Sequence, residues 1–223
     1  MSGPALLQLA SEIDSTVAEV FHRWCDAHAR VDLALPGFLS ARRLLRSESW
    51  AGAGVSMPCL TIYELDDLTA LTSEAYQKHD QSMPEEFKGH LRFERSVFQE
   101  IESYPVKPEQ SEGRAIFHVV TEVESGFEDE FDRWYAREHV PAVLTAPGVL
   151  SARRYLQVDD PAGKTPQPER YTCLAVYELD DAGVLTRPEA VRASRTASCP
   201  ADLEPHRRVT HHVYEPFFSL PKD

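Results

Sequence analysis

Two stretches of the chain carry almost the same sequence. Residues 36–45 read PGFLSARRLL and residues 147–156 read PGVLSARRYL, with eight of ten positions identical. A second pair, IYELDD at 62–67 and VYELDD at 176–181, follows in the same order. Self-similarity of this kind indicates two copies of one structural unit. We therefore predict a repeat at 1–104 and another at 114–223, joined by a linker rich in proline and glycine at 105–113.

Each copy contains the same order of predicted elements. The first copy has strands near 5–10, 38–46, 59–65 and 90–101, and helices starting near 16 and 72; the second has strands near 115–120, 149–158, 171–179 and 206–218, and helices starting near 125 and 187. Thr16 with Glu19, and Ser125 with Glu128, have the spacing of a capping box that begins a helix. The order in each copy is therefore βαββαβ.

This order predicts the fold class. A βαββαβ unit is ferredoxin-like, and it leaves one face of its sheet bare after both helices have packed on the other. Two such units in one chain can cover both bare faces by placing them together. We predict an α+β protein in which tandem ferredoxin-like repeats form an intrachain dimeric α/β-barrel, with helices outside and space for a small ligand inside.

Charge and composition exclude several classes of partner. The chain has 23 Lys and Arg against 36 Asp and Glu, a formal net charge of −13. This balance disfavours binding to nucleic acid phosphates or to anionic lipid. No stretch approaches the roughly 20 apolar residues of a membrane span, and the N-terminus lacks the pattern of a signal peptide. We expect a cytoplasmic protein that binds neither nucleic acid nor membrane.

Cysteine and histidine spacings predict no disulfide framework, no metal and no cofactor. The four cysteines are scattered and none has CxxC spacing, which favours reduced thiols. The nine histidines show no HExxH or HxH pattern, and an ion site assembled from both sheets is the only metal reading left open. No glycine-rich nucleotide motif occurs.

One segment resembles a known family. Residues 131–141 read FDRWYAREHVP, and they are followed by Pro147-Gly148 and by ARRY at 152–155. The pattern is similar to that of proteins related to EthD, the ethyl tert-butyl ether degradation protein, within the dimeric α/β-barrel superfamily. The resemblance implies the barrel fold. Members of the superfamily include cofactor-free oxygenases, isomerases, cyclases, decarboxylases and haem enzymes, so it implies enzymatic activity without fixing the reaction.

His139 is the candidate for proton transfer. It follows Trp134 and Tyr135 near a predicted helix end, where the helix dipole favours a protonated imidazole. The alternative is a histidine that caps the helix. Tyr135 lies four residues earlier and can touch His139 on the same helix face. In the first copy His28 is four residues from Trp24 rather than five, so the two histidines need not point the same way, and we expect the first copy to be the degenerate one.

Further residues are candidates for binding the substrate. His118 aligns with Gln8 of the first copy, and polar residues at matching positions in two apolar strands indicate a cavity lining. Arg153 and Arg154 alternate across a strand, so one of them faces the barrel and can bind an anionic substrate. The alternative is an ion pair with the acidic YELDD segments. Trp134, Tyr177 and His28 complete the set, although such tyrosines more often belong to a core or an interface.

These observations predict an enzyme that needs no cofactor. His139, assisted by Tyr135, would move protons on a small hydrophobic, aromatic or enolisable substrate in the barrel, in a lyase or isomerase reaction. A cofactor-free oxygenase and a non-catalytic ligand-binding protein are the alternatives. The expected site comes mainly from the second copy and is roofed by the first. The sequence leaves open whether two such chains form a homodimer.

Overall fold

The computed structural model describes residues 3–50, 52–54, 57–79, 82–104, 115–196 and 198–221. The strands are β1 (Ala5–Ile13), β2 (Phe38–Arg46), β3 (Cys59–Leu65), β4 (Leu91–Tyr104), β5 (Ile116–Val123), β6 (Val149–Val158), β7 (Tyr171–Leu179) and β8 (Arg207–Pro221). The helices are α1 (Ala18–Leu33), α2 (Glu74–Lys78), α3 (Glu128–Trp134), α4 (Val140–Val143) and α5 (Pro188–Thr196), with a π-helical segment, Tyr135–His139, between α3 and α4. Short 3-10 turns precede α2, β4, α5 and β8.

The eight strands form one closed antiparallel barrel. Around it the order is β1-β3-β2-β8-β5-β7-β6-β4, with β4 pairing back onto β1. Each half of the chain contributes four adjacent strands in the same order, β4-β1-β3-β2 and β8-β5-β7-β6. The halves meet where β2 pairs with β8 and where β4 pairs with β6. The predicted α+β barrel is confirmed, whereas the predicted linker at 105–113 lies outside the described residues.

Side chains from all eight strands fill the barrel interior. Because alternate residues of a strand face opposite sides, every second position turns inward. The inward cluster contains Leu6, Ala10, Leu44, Leu60, Ile62, Phe98, Ile116, Tyr155, Leu174, Val176 and Tyr214. Tyr155 and Tyr214 are among the largest fully buried side chains of the protein. The interior is therefore a packed core built by both halves.

Two ion pairs inside the barrel join the halves. Arg42 Nη1 of β2 lies 2.6 Å from Glu178 Oε1 of β7, and Arg153 of β6 pairs with Glu64 of β3. Each pair links an arginine of one copy to the YELDD segment of the other, so the two contacts are equivalent by the repeat. These pairs are partly buried, and they specify which strands of the two halves face each other.

A helix layer covers the outer face of each half. In the first half α1 packs through Ala29 and Leu33 onto outward-facing residues of the sheet such as Leu7 and Tyr63. The second half has the equivalent layer, built by Phe131, Trp134 and Val140 against β5 and β7. Side chains in these two outer layers can differ between the halves without changing the barrel core.

The helix starts differ from the sequence prediction. α1 begins at Ala18 and α3 at Glu128, and neither has a side-chain hydrogen bond at its N-cap. Thr16 instead donates to Asp14 Oδ1 in the preceding turn, at 2.9 Å from its backbone nitrogen. Glu128 Oε2 accepts from the backbone of Gly126. The predicted capping boxes are therefore wrong, because the polar side chains order the turn before each helix instead.

In the described part of the chain, no helix combines the length and the apolar character needed to cross a membrane.

Candidate functional site

A cavity of about 760 Å³ lies between α1 and the outer face of the first-half sheet. Its walls include the apolar side chains of Leu7, Leu9, Phe21, Trp24, Met83 and Phe93. The volume falls in the range of small-molecule sites. This cavity lies outside the barrel, whereas the sequence prediction placed the ligand inside the barrel and drew the site mainly from the second copy.

Two histidines and a carboxylate meet at this cavity. His79 Nε2 lies 3.0 Å from Asp32 Oδ1, and His28 Nε2 lies 3.7 Å from the same oxygen. The side chains are 14%, 22% and 7% exposed for His79, His28 and Asp32, respectively. An acid and two imidazoles in a largely apolar cavity can exchange protons with a bound molecule or hold an ion.

Neighbouring elements fix the orientation of each of these side chains. His28 and Asp32 are four residues apart on α1 and therefore share one helix face. The indole of Trp24 stacks on the His28 ring, with ring centroids 4.9 Å apart. Tyr63 of β3 donates its hydroxyl to Asp32 Oδ2 at 2.6 Å, which leaves Oδ1 turned toward the histidines. His79 follows the last residue of α2, where its backbone nitrogen donates to Ala75.

A loop from the second half closes the cavity. Residues 164–169, between β6 and β7, contribute to the lining. Asp160 at the start of this loop accepts two hydrogen bonds from Arg95 of β4, at 2.8 and 3.2 Å. Arg95 also donates to the Tyr76 hydroxyl at 3.0 Å. Both halves therefore build the cavity: the first half supplies most of its lining, including His28 and Asp32, and the second half supplies the covering loop.

Burial keeps several lining groups in their neutral forms. It raises the pKa of the Cys25 thiol to about 12, so this cysteine is not a thiolate at neutral pH. Burial, with Asp32 as a second cause, also raises the pKa of Tyr63 well above its ordinary value. The pKa of Lys164 is lowered by burial and by the nearby Arg95; its ammonium lies 4.8 Å from the centre of the Tyr76 ring.

The equivalent position in the second half has a different arrangement. His139 contacts both Trp134 and Tyr135, with ring centroids 5.0 and 4.6 Å apart. The extra residue between Trp134 and His139 is accommodated by the π-helical segment, whose wider turn restores the contact that Trp24 and His28 make in the first half. His28 and His139 therefore each contact the tryptophan of their own helix despite the different spacing. The helix also continues past His139 to Val143, so His139 is not at a helix end.

The second half lacks the carboxylate of the first. Counted back from the shared Pro-Gly, Val143 stands where the first half has Asp32. The hydroxyl of Tyr177, the equivalent of Tyr63, donates instead to the Tyr135 hydroxyl at 3.3 Å. Tyr135 is fully buried, and burial raises its pKa to about 12. The second half therefore presents an uncharged tyrosine pair where the first presents a buried acid.

The arginine and histidine candidates for substrate binding are engaged with protein groups. Arg153 pairs with Glu64, the ion pair that the sequence offered as the alternative. Arg154 faces the helix layer and binds Glu102 and Asp132. His118 faces the barrel interior, where its Nε2 lies 2.7 Å from Gln8 Oε1. The matching polar positions of the two copies thus bond to each other across the core.

Sequence reasoning missed Asp32, His79 and Lys164. Asp32 has no counterpart in the second copy, and a search for matched residues passes over it. His79 is separated from His28 by 51 positions and meets it only through the packing of α2. The one available signal was the four-residue spacing of His28 and Asp32, which places both on one face of a helix.

Comparisons with known proteins identify the fold. The sequence matches no protein-family model and no curated protein. Among solved structures, an anthrone oxidase-like protein has a TM-score of 0.58 at 11% identity, covering 100% of this chain and 94% of its own. A Fusobacterium nucleatum protein whose monooxygenase assignment is unproven has a TM-score of 0.55 at 12% identity, with coverage of 99% and 95%. A major regulator of staphylococcal pathogenesis has a TM-score of 0.52 at 8% identity, with coverage of 96% and 99%.

The chain has the dimeric α/β-barrel fold. This follows from the barrel topology together with matches that span nearly the full length of each chain. At identities near 10% such matches establish the fold alone. The presence of a regulator beside oxidase-like proteins shows that this fold serves more than one role, so the function must be argued from the cavity.

Proposed function

We propose that this protein is an enzyme that removes a proton from a small, largely apolar molecule with an enolisable or phenolic group. The reaction takes place in the first-half cavity. The observation that carries the proposal is the convergence of His28 and His79 on the buried carboxylate of Asp32, beside an apolar space of about 760 Å³. Apolar walls favour an uncharged aromatic substrate, and a positioned base lowers the barrier to proton removal.

Each residue of the cavity has a separate role in such a reaction. The Trp24 indole and the Phe93 ring hold an aromatic substrate by stacking and apolar contact. The base centre at Asp32 accepts the proton, and the Tyr63 hydroxyl keeps the carboxylate oriented. Lys164 stabilises negative charge that develops on the substrate oxygen. An isomerase reaction follows when the proton is returned to a different atom of the resulting enolate, and a lyase reaction follows when the enolate expels a leaving group that takes up the bonding electrons.

Oxygenation is the second candidate reaction. A carbanion formed in the cavity can react with molecular oxygen, and the resemblance to an anthrone oxidase-like protein favours a substrate of this electron-rich kind. Both reactions begin with the same proton transfer. Oxygen consumption during turnover separates them.

We also infer that the two halves are tandem ferredoxin-like repeats and that the resemblance of residues 131–155 to EthD-related proteins reflects common ancestry. The equal strand order of the halves and the equivalent Arg42–Glu178 and Arg153–Glu64 pairs support this. On this view the second copy retains the family sequence pattern, whereas the first carries the reactive centre. His139 and Tyr135 of the second copy remain the alternative centre.

Exchange of substrate protons with solvent tests the proposal. Anthrone and small aromatic ketones are incubated with the protein in D₂O, and deuterium at the acidic carbon is followed by NMR. We expect protein-dependent exchange that falls by about 10²- to 10⁴-fold in His28→Gln and His79→Gln. Loss of exchange in His139→Gln with His28→Gln unaffected would move the reaction to the second half. Binding of these compounds without any exchange would instead support a ligand-binding protein.

A further inference from the structure

The side chains of His28, Asp32 and His79 are arranged as ligands rather than as a hydrogen-bonded network. Asp32 Oδ1 and His79 Nε2 are only 3.0 Å apart. Within the described residues, neither of these buried atoms makes a hydrogen bond. Two buried polar atoms in contact usually point a proton of one at a lone pair of the other. Here the two atoms are in contact without such a hydrogen bond, and His28 lies beside them.

The spacing of the three atoms fits a single metal ion. Zinc binds imidazole nitrogen and carboxylate oxygen at about 2.0–2.2 Å. Ligand atoms around one such ion therefore lie about 3–4 Å from each other. The observed separations from Asp32 Oδ1 are 3.0 Å to His79 and 3.7 Å to His28, and all three atoms lie within 4.8 Å of one another.

The surroundings also favour an ion. Metal ligands are held in place by groups behind them. Tyr63 occupies Asp32 Oδ2 and directs Oδ1 inward, while Trp24 stacks on the His28 ring. A buried carboxylate with a single hydrogen-bonded oxygen is costly unless a positive charge lies beside it. A divalent ion supplies that charge and leaves the remaining coordination positions open toward the cavity.

We propose that His28, Asp32 and His79 bind one divalent transition-metal ion, such as Zn²⁺ or Fe²⁺. Two imidazoles and one carboxylate with open positions are the ligand set of hydrolytic zinc sites and of non-haem iron sites. The proposed three-residue set departs from the expectation, drawn from the missing HExxH and HxH patterns, that the protein has no metal. It rests on the proposed function only in sharing the cavity. His28, Asp32 and His79 would hold the ion, and the ion would supply a water of lowered pKa beside the base centre.

Zinc binding tests this site directly. Untagged protein is stripped with a chelator and titrated with zinc chloride against a chromophoric chelator. We expect one tightly bound ion per chain, and at least about 100-fold weaker binding in His28→Gln and in His79→Gln, since loss of a ligand exceeds the usual effect of a supporting residue. His139→Gln is the matched control, and its affinity should equal that of the unchanged protein.

Cobalt provides a second readout that does not depend on activity. Co²⁺ bound by nitrogen and oxygen ligands in an open site gives visible absorption, which should be lost in both ligand variants while their circular dichroism is retained. Binding of less than one ion, or binding equal in all variants, would overturn the site. Stoichiometric metal without proton exchange would retain the site and reject the proposed reaction. Proton exchange by a protein that binds no metal would reject the site and retain the proposed reaction.

Discussion

At the scale of single residues, the two halves differ at one position that changes the chemistry of the fold. Tyr63 and Tyr177 occupy equivalent strand positions, and both hydroxyls donate to a side chain on the covering helix. In the first half the acceptor is the carboxylate of Asp32; in the second it is the neutral hydroxyl of Tyr135. Hydrogen bonds to charged groups are about twice as strong as neutral ones. The first half therefore has the more polarised site.

This difference predicts unequal effects of removing the two hydroxyls. Tyr63→Phe leaves a buried carboxylate oxygen without its donor, so we expect a loss of about 1–3 kcal/mol in the free energy of unfolding. Tyr177→Phe is the matched control and should lose about 0.5–1.5 kcal/mol. Urea denaturation measures both. Equal losses would mean that Asp32 is not held as a charged acceptor.

His118 in the barrel core predicts a pH dependence of stability. Burial, and secondly the nearby His212, lowers the pKa of His118 from 6.5 to about 3. The unfolded chain binds a proton below pH 6.5 that the folded protein cannot, so stability is complete above pH 6.5 and declines as pH falls toward 3. The slope reaches about 1.4 kcal/mol per pH unit.

Replacement of His118 isolates this effect. His118→Gln keeps a hydrogen bond to Gln8 but has no titrating group, so the decline in unfolding free energy between pH 6 and pH 4 should become shallower. The exposed histidine variant His90→Gln should retain the original slope. An unchanged slope in His118→Gln would show that other groups cause the loss of stability in acid.

At the scale of secondary-structure elements, the π-helical segment explains how the second helix accommodates an additional residue. The segment Tyr135–His139 contains the one additional residue that has no counterpart in α1. Within it, the Ala136 carbonyl accepts a hydrogen bond from the Tyr104 hydroxyl at 2.9 Å. The residues before and after this segment align with the equivalent residues of the first half. The insertion therefore changes one turn and leaves the packing of the helix on the sheet intact.

Deletion of Ala136 should convert this turn to ordinary α-helix. Because α1 has the shorter spacing and packs normally, we expect a folded protein that loses about 0.5–1.5 kcal/mol, the worth of the Tyr104 hydrogen bond. Thermal unfolding followed by circular dichroism measures the change. Failure to fold would show that the wider turn is required by the second-half sheet.

The loop between β6 and β7 is held over the cavity by one buried ion pair. The side chains of Arg95 and Asp160 are 9% and 0% exposed. Asp160→Asn leaves the Arg95 charge without its partner, so we expect a loss of about 3–5 kcal/mol and weaker binding of small phenols. Glu189→Gln removes an exposed ion pair with Arg192 and should cost no more than about 1 kcal/mol. Similar costs would mean that the loop is not anchored by Asp160.

Sequence reasoning predicted the elements better than the site. Alternating and helical patterns determine strands such as Phe38–Arg46 and Val149–Val158, because burial of one face depends only on local periodicity. The inward direction of Arg42 and Arg153 also follows from alternation. The site depends on contacts that periodicity does not describe. His79 reaches Asp32 only when α2 packs beside α1, and the π turn returns His139 to Trp134 against the rule of 100° per residue.

At the scale of the whole molecule, the shared barrel core and the two outer helix layers make different contributions. The barrel core is shared, and the pairs Arg42–Glu178, Arg153–Glu64 and Gln8–His118 join the halves across it. The outer helix layers are independent of each other and can diverge without disturbing the core. On this account, the first helix layer encloses a cavity that contains the buried carboxyl group of Asp32. In the second helix layer, the side chains of Trp134 and Tyr135 occupy the equivalent space.

The location of a bound small molecule tests this account most directly. Crystals of the protein are soaked with small phenols and aromatic ketones, and the density of each ligand is located. We predict density between α1 and the first-half sheet, against Trp24 and beside His28, under the loop that begins at Asp160. Density found only beside His139 or within the barrel would contradict the account.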